Sequence, residues 1–172
     1  AYEPVDGWSV GVSPVLAYQR FTADGLNAFA PLSQNPDALS NNGVGESYGA
    51  GVRVGIQGAV TDWLRLGGSY QSRIHMTRFE DYEGLFAEQG DFDIPPSWTL
   101  GVAVRPLPPL WLLADVQHID YDAVPAVANG FATGQPLGAD DGPGFGWDSV
   151  TVIKIGAQWR ATDSLTLRAG YS

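Results

Sequence analysis

Residues 94–122, IPPSWTLGVAVRPLPPLWLLADVQHIDYD, decide the fold. They read as two extended segments joined by the tight turn Pro106-Leu107-Pro108-Pro109. The turn's prolines fix their own φ and lack an amide donor, so neither strand continues through it. Before the turn, Trp98, Leu100, Val102 and Val104 alternate with Thr99, Gly101, Ala103 and Arg105. After it, Leu110, Leu112, Ala114 and Val116 alternate with Trp111, Leu113, Asp115 and Gln117. A period of two puts each set on its own face of a sheet. One face is hydrocarbon, the other is small or polar, and the fold turns on which solvent the hydrocarbon meets.

The same alternation recurs along the chain. It predicts strands over approximately 8–22, 51–60, 64–79, 96–105, 110–121, 149–159 and 165–172. In the third, Leu66, Tyr70, Ile74 and Met76 share the apolar face, and Arg65, Ser69, Gln71, Arg73, His75 and Thr77 share the polar one. Pro14 suggests a bulge or an unpaired edge in the first strand. The connections alternate strictly between long loops (24–48, 80–93 and 123–148) and short turns, so antiparallel neighbours place every long loop at one end. Outer-membrane barrels have this asymmetry. Trp8, Trp63, Trp111 and Trp159 gather at the short-turn end, and Phe21, Tyr48, Phe79, Trp98 and Tyr121 at the other. Two aromatic bands around an aliphatic belt fit the two interfaces of a bilayer.

Charge supports the same orientation. All nine basic residues lie in strand-like segments, while most acidic ones lie in the loops, and the net charge of −10 argues against a nucleic-acid surface. An Arg or Lys facing lipid at mid-depth costs about 2–4 kcal/mol, so the polar register faces a watery bore. Arg53, Arg65, Arg73, Arg105, Lys154, Arg160 and Arg168 fall on it, whereas Arg20 and Arg78 fall on apolar registers only at strand ends, where they snorkel. The competing reading is a soluble sandwich with the same alternation and the apolar face as core. With no cysteine in its 172 residues, the chain has neither disulfide nor thiolate metal site.

The segment 94–122, followed by GWDSVTVIKIGAQWRATDSLTLRAGYS at 146–172, resembles the outer-membrane long-chain fatty-acid transporter (FadL/TodX) family. The shared features are a proline entering a strand, a strand pair ending near Trp or Asp, then Trp-Asp, a strand with Gly156, and a closing Leu-Arg-Ala-Gly-Tyr. The resemblance implies a monomeric barrel of about fourteen strands in the bacterial outer membrane. It also implies an N-terminal hatch and passive inward and lateral passage of hydrophobic molecules. The expected fold is all-β, an antiparallel meander forming part of a transmembrane barrel, with hatch and remaining strands absent over 1–172. Expected partners are a small hydrophobic ligand, outer-membrane lipid and lipopolysaccharide, with no cofactor.

Candidate residues follow from this reading. The loop residues Phe29, Leu32, Leu39, Leu85, Phe86, Phe131 and Phe145 are candidates for ligand capture, or for packing loop against loop. Arg53, Arg65, Arg73, Arg105, Lys154 and Arg168 set the electrostatics of the bore, steering a carboxylate head group or being neutralised internally by Asp115 and hatch carboxylates. Pro14 and Gly67-Gly68 are candidates for a kink beside a lateral exit, or ordinary barrel curvature. His75 beside Ser69 is too thin a signal for a hydrolase, and Asp91/Asp93 and Asp140/Asp141 lack the spacing of a calcium loop, so neither catalysis nor a metal is expected. The alternative function is a structural or adhesive barrel whose long loops bind a partner and conduct nothing.

Overall fold

The computed structural model describes residues 2–172. Its strands are β1 (Tyr2–Val5), β2 (Trp8–Phe21), β3 (Gly45–Thr61), β4 (Leu64–Gln71), β5 (His75–Met76), β6 (Ser97–Leu107), β7 (Leu110–Ile119), β8 (Val150–Arg160) and β9 (Thr166–Tyr171). They form one antiparallel meander in the order β1-β2-β3-β4-β6-β7-β8-β9, with β5 paired to β3. Two strands exceed the seven expected from alternation. Tyr2–Val5 is too short to show a period, and β5 is the detached end of the predicted third strand. β3 also begins six residues earlier than expected, because Gly45–Ala50 pairs with Leu16–Phe21 of β2.

The apolar registers look outward. Leu16, Ile56, Leu100, Ile153 and Ile155 are all exposed. Apart from Ile74 and Met76, none of the buried hydrophobic residues comes from these rows. Leu39, Ile74, Met76, Phe79, Tyr82, Phe86, Ala87, Val124, Ala126 and Val127 lie in β5 and the long connections. That core packs against one face of the sheet only: Phe21 meets Phe79, Tyr82 and Phe86, and a Cβ on Gly45 would touch Tyr82 and Phe79 at 3.1 and 3.2 Å. Phe21 and Gly45 share the register of Arg53 and Gln57, so the loops cap the polar side and leave the aliphatic side bare. A sandwich would seal that aliphatic side; here it is free for acyl chains. No helix is long and apolar enough to cross a membrane.

Three sequence expectations change. First, the predicted strand 64–79 breaks after Gln71. Pairing with β3 shifts from Arg53↔Gln71 to Ala50↔His75, and the Ser72 hydroxyl accepts the Val52 amide at 3.0 Å in place of a backbone carbonyl. The shift turns Ile74 and Met76 onto the inner side, over Gly49 and Gly51, and leaves His75 78% exposed at its side chain. Second, Pro14 and Gly67-Gly68 carry no bulge: their registers run unbroken. β1 pairs β2 only between Tyr2 and Val10, so among the described residues no strand pairs Pro14 on that side. Third, Phe21 and Phe79 leave the aromatic band for the loop core, and Trp111 leaves it for the bore face, where alternation puts it with Leu113 and Asp115.

Candidate functional site

The inner face of the sheet carries an open trough of about 1020 Å³ lined by Arg53, Gln57, Arg65, Thr99, Leu113 and Asp115 together with glycine and serine backbone. Its floor is smooth because Gly55, Gly67, Gly101 and Gly156 lie on this register. The absence of a side chain at Gly101 leaves room for the Asp115 carboxylate, whose Oδ1 lies 2.2 Å from where a Cβ would stand. The basic residues of the bore are held by neutral groups. Lys154 Nζ donates to Gln117 Oε1 at 2.8 Å, Arg168 Nε to Gln158 Oε1 at 2.8 Å, and Arg53 to Gln71. Arg65 and Arg105 both lie over the Trp111 ring, 4.8 and 5.4 Å from its centroid. Asp115 is the register partner of Lys154, yet no bore cation lies within ion-pair distance of it among the described residues. Internal neutralisation by Asp115 is therefore not the arrangement found.

Over the long-loop end, cross-loop hydrogen bonds lace the connections into a cap. Gln34 N donates to Leu137 O at 3.0 Å, Gly84 N to Ala38 O at 2.9 Å, and Glu88 N to Ala139 O at 3.0 Å. Within the cap, aromatic rings form an unbroken series. Phe21 meets Phe86 at 4.9 Å, Phe86 meets Phe92 at 4.9 Å, Phe92 meets Phe145 at 6.2 Å, Phe145 meets Trp147 at 5.9 Å, and Trp147 meets Tyr121 at 5.6 Å. The series runs from buried Phe86 to Phe145 and Trp147, which are 56% and 55% exposed. Of the predicted capture residues, Phe29, Leu32, Phe131 and Phe145 are exposed, and Leu85 is half-buried against the loop core. Leu39 and Phe86 are buried and hold the loops together. Trp147 and Phe92 join the series without having been singled out from sequence; Trp147 lies in the Gly-Phe-Gly-Trp-Asp stretch, where its aromatic neighbour was the available signal.

The wall has one discontinuity beside this cap. The β4–β6 ladder stops at Gln71↔Ser97 and resumes only as the isolated bridge Ile74↔Ile94, because Pro95 and Pro96 have no amide to donate. Arg73 spans the interruption. Its Nε donates to Asp93 Oδ2 at 2.5 Å and its Nη1 to Ala123 O at 2.7 Å, while its Nη2 stands 4.0 Å from Glu88 and 3.9 Å from Asp91. Asp93 is buried and also accepts the Met76 amide at 2.6 Å, with His75 Nδ1 3.1 Å away. Burial works against its charge, but the hydrogen bonds from Met76 and Arg73 and the Arg73 charge hold its carboxyl below the usual range. Asp91 is pushed up to about 6, first by burial and then by Asp93 beside it, and its Oδ1 is buried without a partner. Arg73 thus acts as a clasp between wall and loops, not as a free bore cation. His118, the second of the chain's two histidines, faces outward, stacked on Trp98 at 5.6 Å with Thr151 Oγ1 3.0 Å from its Nδ1.

The solved structures it resembles are outer-membrane channels. The Ralstonia pickettii toluene transporter TbuX matches with a TM-score of 0.64 at 18% identity, over 98% of this chain and 52% of that one. The Pseudomonas putida toluene transporter TodX matches with a TM-score of 0.61 at 18% identity, over 98% and 51%. The CymD monoaromatic hydrocarbon channel matches with a TM-score of 0.60 at 18% identity, over 98% and 56%. At these identities the likeness speaks to fold, and the chain spans about half the length of these structures. Among curated proteins none is a match. The family model described as outer membrane protein transport protein (OMPP1/FadL/TodX) matches residues 1–172, and the chain belongs to that family as part of a bacterial outer-membrane β-barrel.

Proposed function

We propose that the barrel takes up small hydrophobic compounds, monoaromatic or acyl, by passive diffusion, capturing them at the long-loop end and releasing them sideways through the wall. The observation that carries this is the ring series from exposed Phe145 and Trp147 to buried Phe86. Offset and edge-on ring pairs at these spacings attract a further ring or hydrocarbon as they attract one another, so a solute exchanges partners stepwise and never faces bare water. The relatives described as toluene and monoaromatic hydrocarbon transporters support an aromatic cargo. For the sideways step, the interrupted ladder opposite Pro95-Pro96 is a wall position with few hydrogen bonds to part, and the Arg73–Asp93 clasp is what holds it. No energy source is needed if the solute is more soluble in acyl chains than in water.

The test is uptake of radiolabelled toluene and oleate by cells carrying the full-length gene, a deletion, or the double variant F145A/W147A. Uptake and growth on the hydrophobic carbon source fall in the deletion, and the double variant lowers uptake severalfold at normal barrel abundance. Growth indifferent to the deletion would refute transport and leave a barrel whose loops serve adhesion. Unchanged uptake in the double variant would refute capture by the ring series.

A further inference from the structure

We infer that the Gln19 carboxamide is a hydrogen-bonding station for phenols, placed where cargo leaves the ring series. This rests on the uptake reading and adds hydroxyl-bearing aromatics to the cargo. Gln19 lies on the inner register of β2, two residues before Phe21, whose ring meets Phe86 at 4.9 Å. Its Oε1 is buried and has no hydrogen-bond partner among the described residues. The hydroxyl nearest in register belongs to Ser47, directly across the ladder, and it is already engaged. Ser47 is fully buried and donates to Thr77 O at 2.5 Å. A buried acceptor left unpaired costs free energy, so an apolar side chain of the same length would serve a merely structural position better.

The same face is otherwise apolar around this oxygen. Away from the loops come Ala17 and Val15, and across from them Gly49 and Gly51, with Met76 and Ile74 over them. The polar trough begins only at Ser13 and Arg53. A solute passing from the rings toward the trough or the interrupted ladder therefore crosses a greasy neck with one unpaired carboxamide oxygen at its entrance. Toluene gives up nothing there. A phenol must shed the water on its hydroxyl, and burying that group unpaired is costly. Gln19 Oε1 accepts the phenolic proton and offsets the loss, while the ring stays against Phe21. Phenols are uncharged near neutral pH, so the contact needs no counter-ion.

Cells carrying the full-length gene, its deletion or Q19M are given radiolabelled p-cresol and toluene, which differ by one hydroxyl, at concentrations far below saturation. Uptake by the deletion is subtracted, which removes passage through other pores. Methionine matches glutamine in length and lacks the acceptor. In Q19M the ratio of p-cresol to toluene uptake falls about threefold to tenfold, as expected for one hydrogen bond, while toluene stays within about twofold. The unfolding temperature of the purified full-length barrel does not drop, since no bond within the protein is lost. An unchanged ratio in Q19M overturns the station. Equal loss of both solutes with a lowered unfolding temperature also overturns it, since Gln19 would then be structural. Gene-dependent uptake of toluene without p-cresol in the wild type overturns the station and leaves the uptake reading standing. Gene-dependent uptake of neither solute overturns both.

Discussion

Asp93→Ala removes the carboxylate at the centre of the clasp. The loss has two parts. The charge-assisted hydrogen bond from Arg73 is worth about 1.5–3 kcal/mol, and leaving the Met76 amide without an acceptor costs about 1–3 kcal/mol. Arg73 is 27% exposed and keeps its bond to Ala123 O, so the lower half of each range applies. The sum is about 3 kcal/mol, or roughly a hundredfold in a local opening equilibrium. Asp93→Asn retains an oxygen for the Met76 amide and loses only the negative charge facing Arg73, for about 1–2 kcal/mol. Hydrogen exchange of the full-length barrel in detergent reads this directly. Met76 and the 80–93 loop exchange roughly a hundredfold faster in D93A, less in D93N, while the β6–β7 hairpin is unchanged. Met76 protection unaltered by D93A, or equal effects of the two variants, would refute the clasp.

Asp91 supplies a pH dependence of opposite sign to its neighbour. Its carboxyl, at about 6 when folded against 3.8 when free, binds more protons in the folded state, so the loop loses stability as pH rises through that window. Asp93, held low, contributes stability above 3.8 that is lost as pH falls through its lowered folded value. Exchange of the 80–93 loop, corrected for intrinsic rates, is therefore slowest close to pH 3.8 and speeds up from there to about 6, and Asp91→Asn removes that rise. The orientation of the sheet is tested by two arginines. Ile155→Arg places a cation against acyl chains and costs about 2–4 kcal/mol in the unfolding of a vesicle-inserted barrel, while Ser69→Arg, on the bore side, costs under about 1 kcal/mol. Equal costs would refute the assignment of the two faces, and a larger cost for Ser69→Arg would show them reversed.

The sheet was legible because its information is local. The alternation around Trp98–Val104 and Leu110–Val116 fixes two faces without reference to anything distant, and Pro106-Pro108-Pro109 fixes the turn between them. What failed depends on contacts between residues remote in sequence. The break after Gln71 is invisible locally, since His75 and Thr77 continue the polar alternation; it arises because Ser72 faces Val52 on one side and Pro95-Pro96 across the other. Trp111, beside a short turn, reads as a membrane-interface aromatic, and only the β4–β6–β7 register shows it under two arginines. The roles of Arg73 and Asp93 belong to the same class: a strand cation and a loop acid became a pair twenty residues apart only once the chain had folded. Loop apolar residues were found, but which were buried depended on cross-loop bonds such as Gly84 to Ala38.

The buried cluster draws Phe21 from the end of β2, Phe79 to Ala87 from the middle of the chain, and Ala126 from beyond β7. Its members span more than a hundred positions, and the three segments cannot meet before the intervening hairpins stand side by side. Its polar, glycine-rich segments must also reach the cell exterior as loose chain, because a preformed greasy nugget would stall at the headgroups. The cap therefore closes after the wall: the ladders of β2 with β3 and of β6 with β7 must stand before these rings can gather above them. A sheet caught between those two moments would be paired yet uncovered, its rings still facing water.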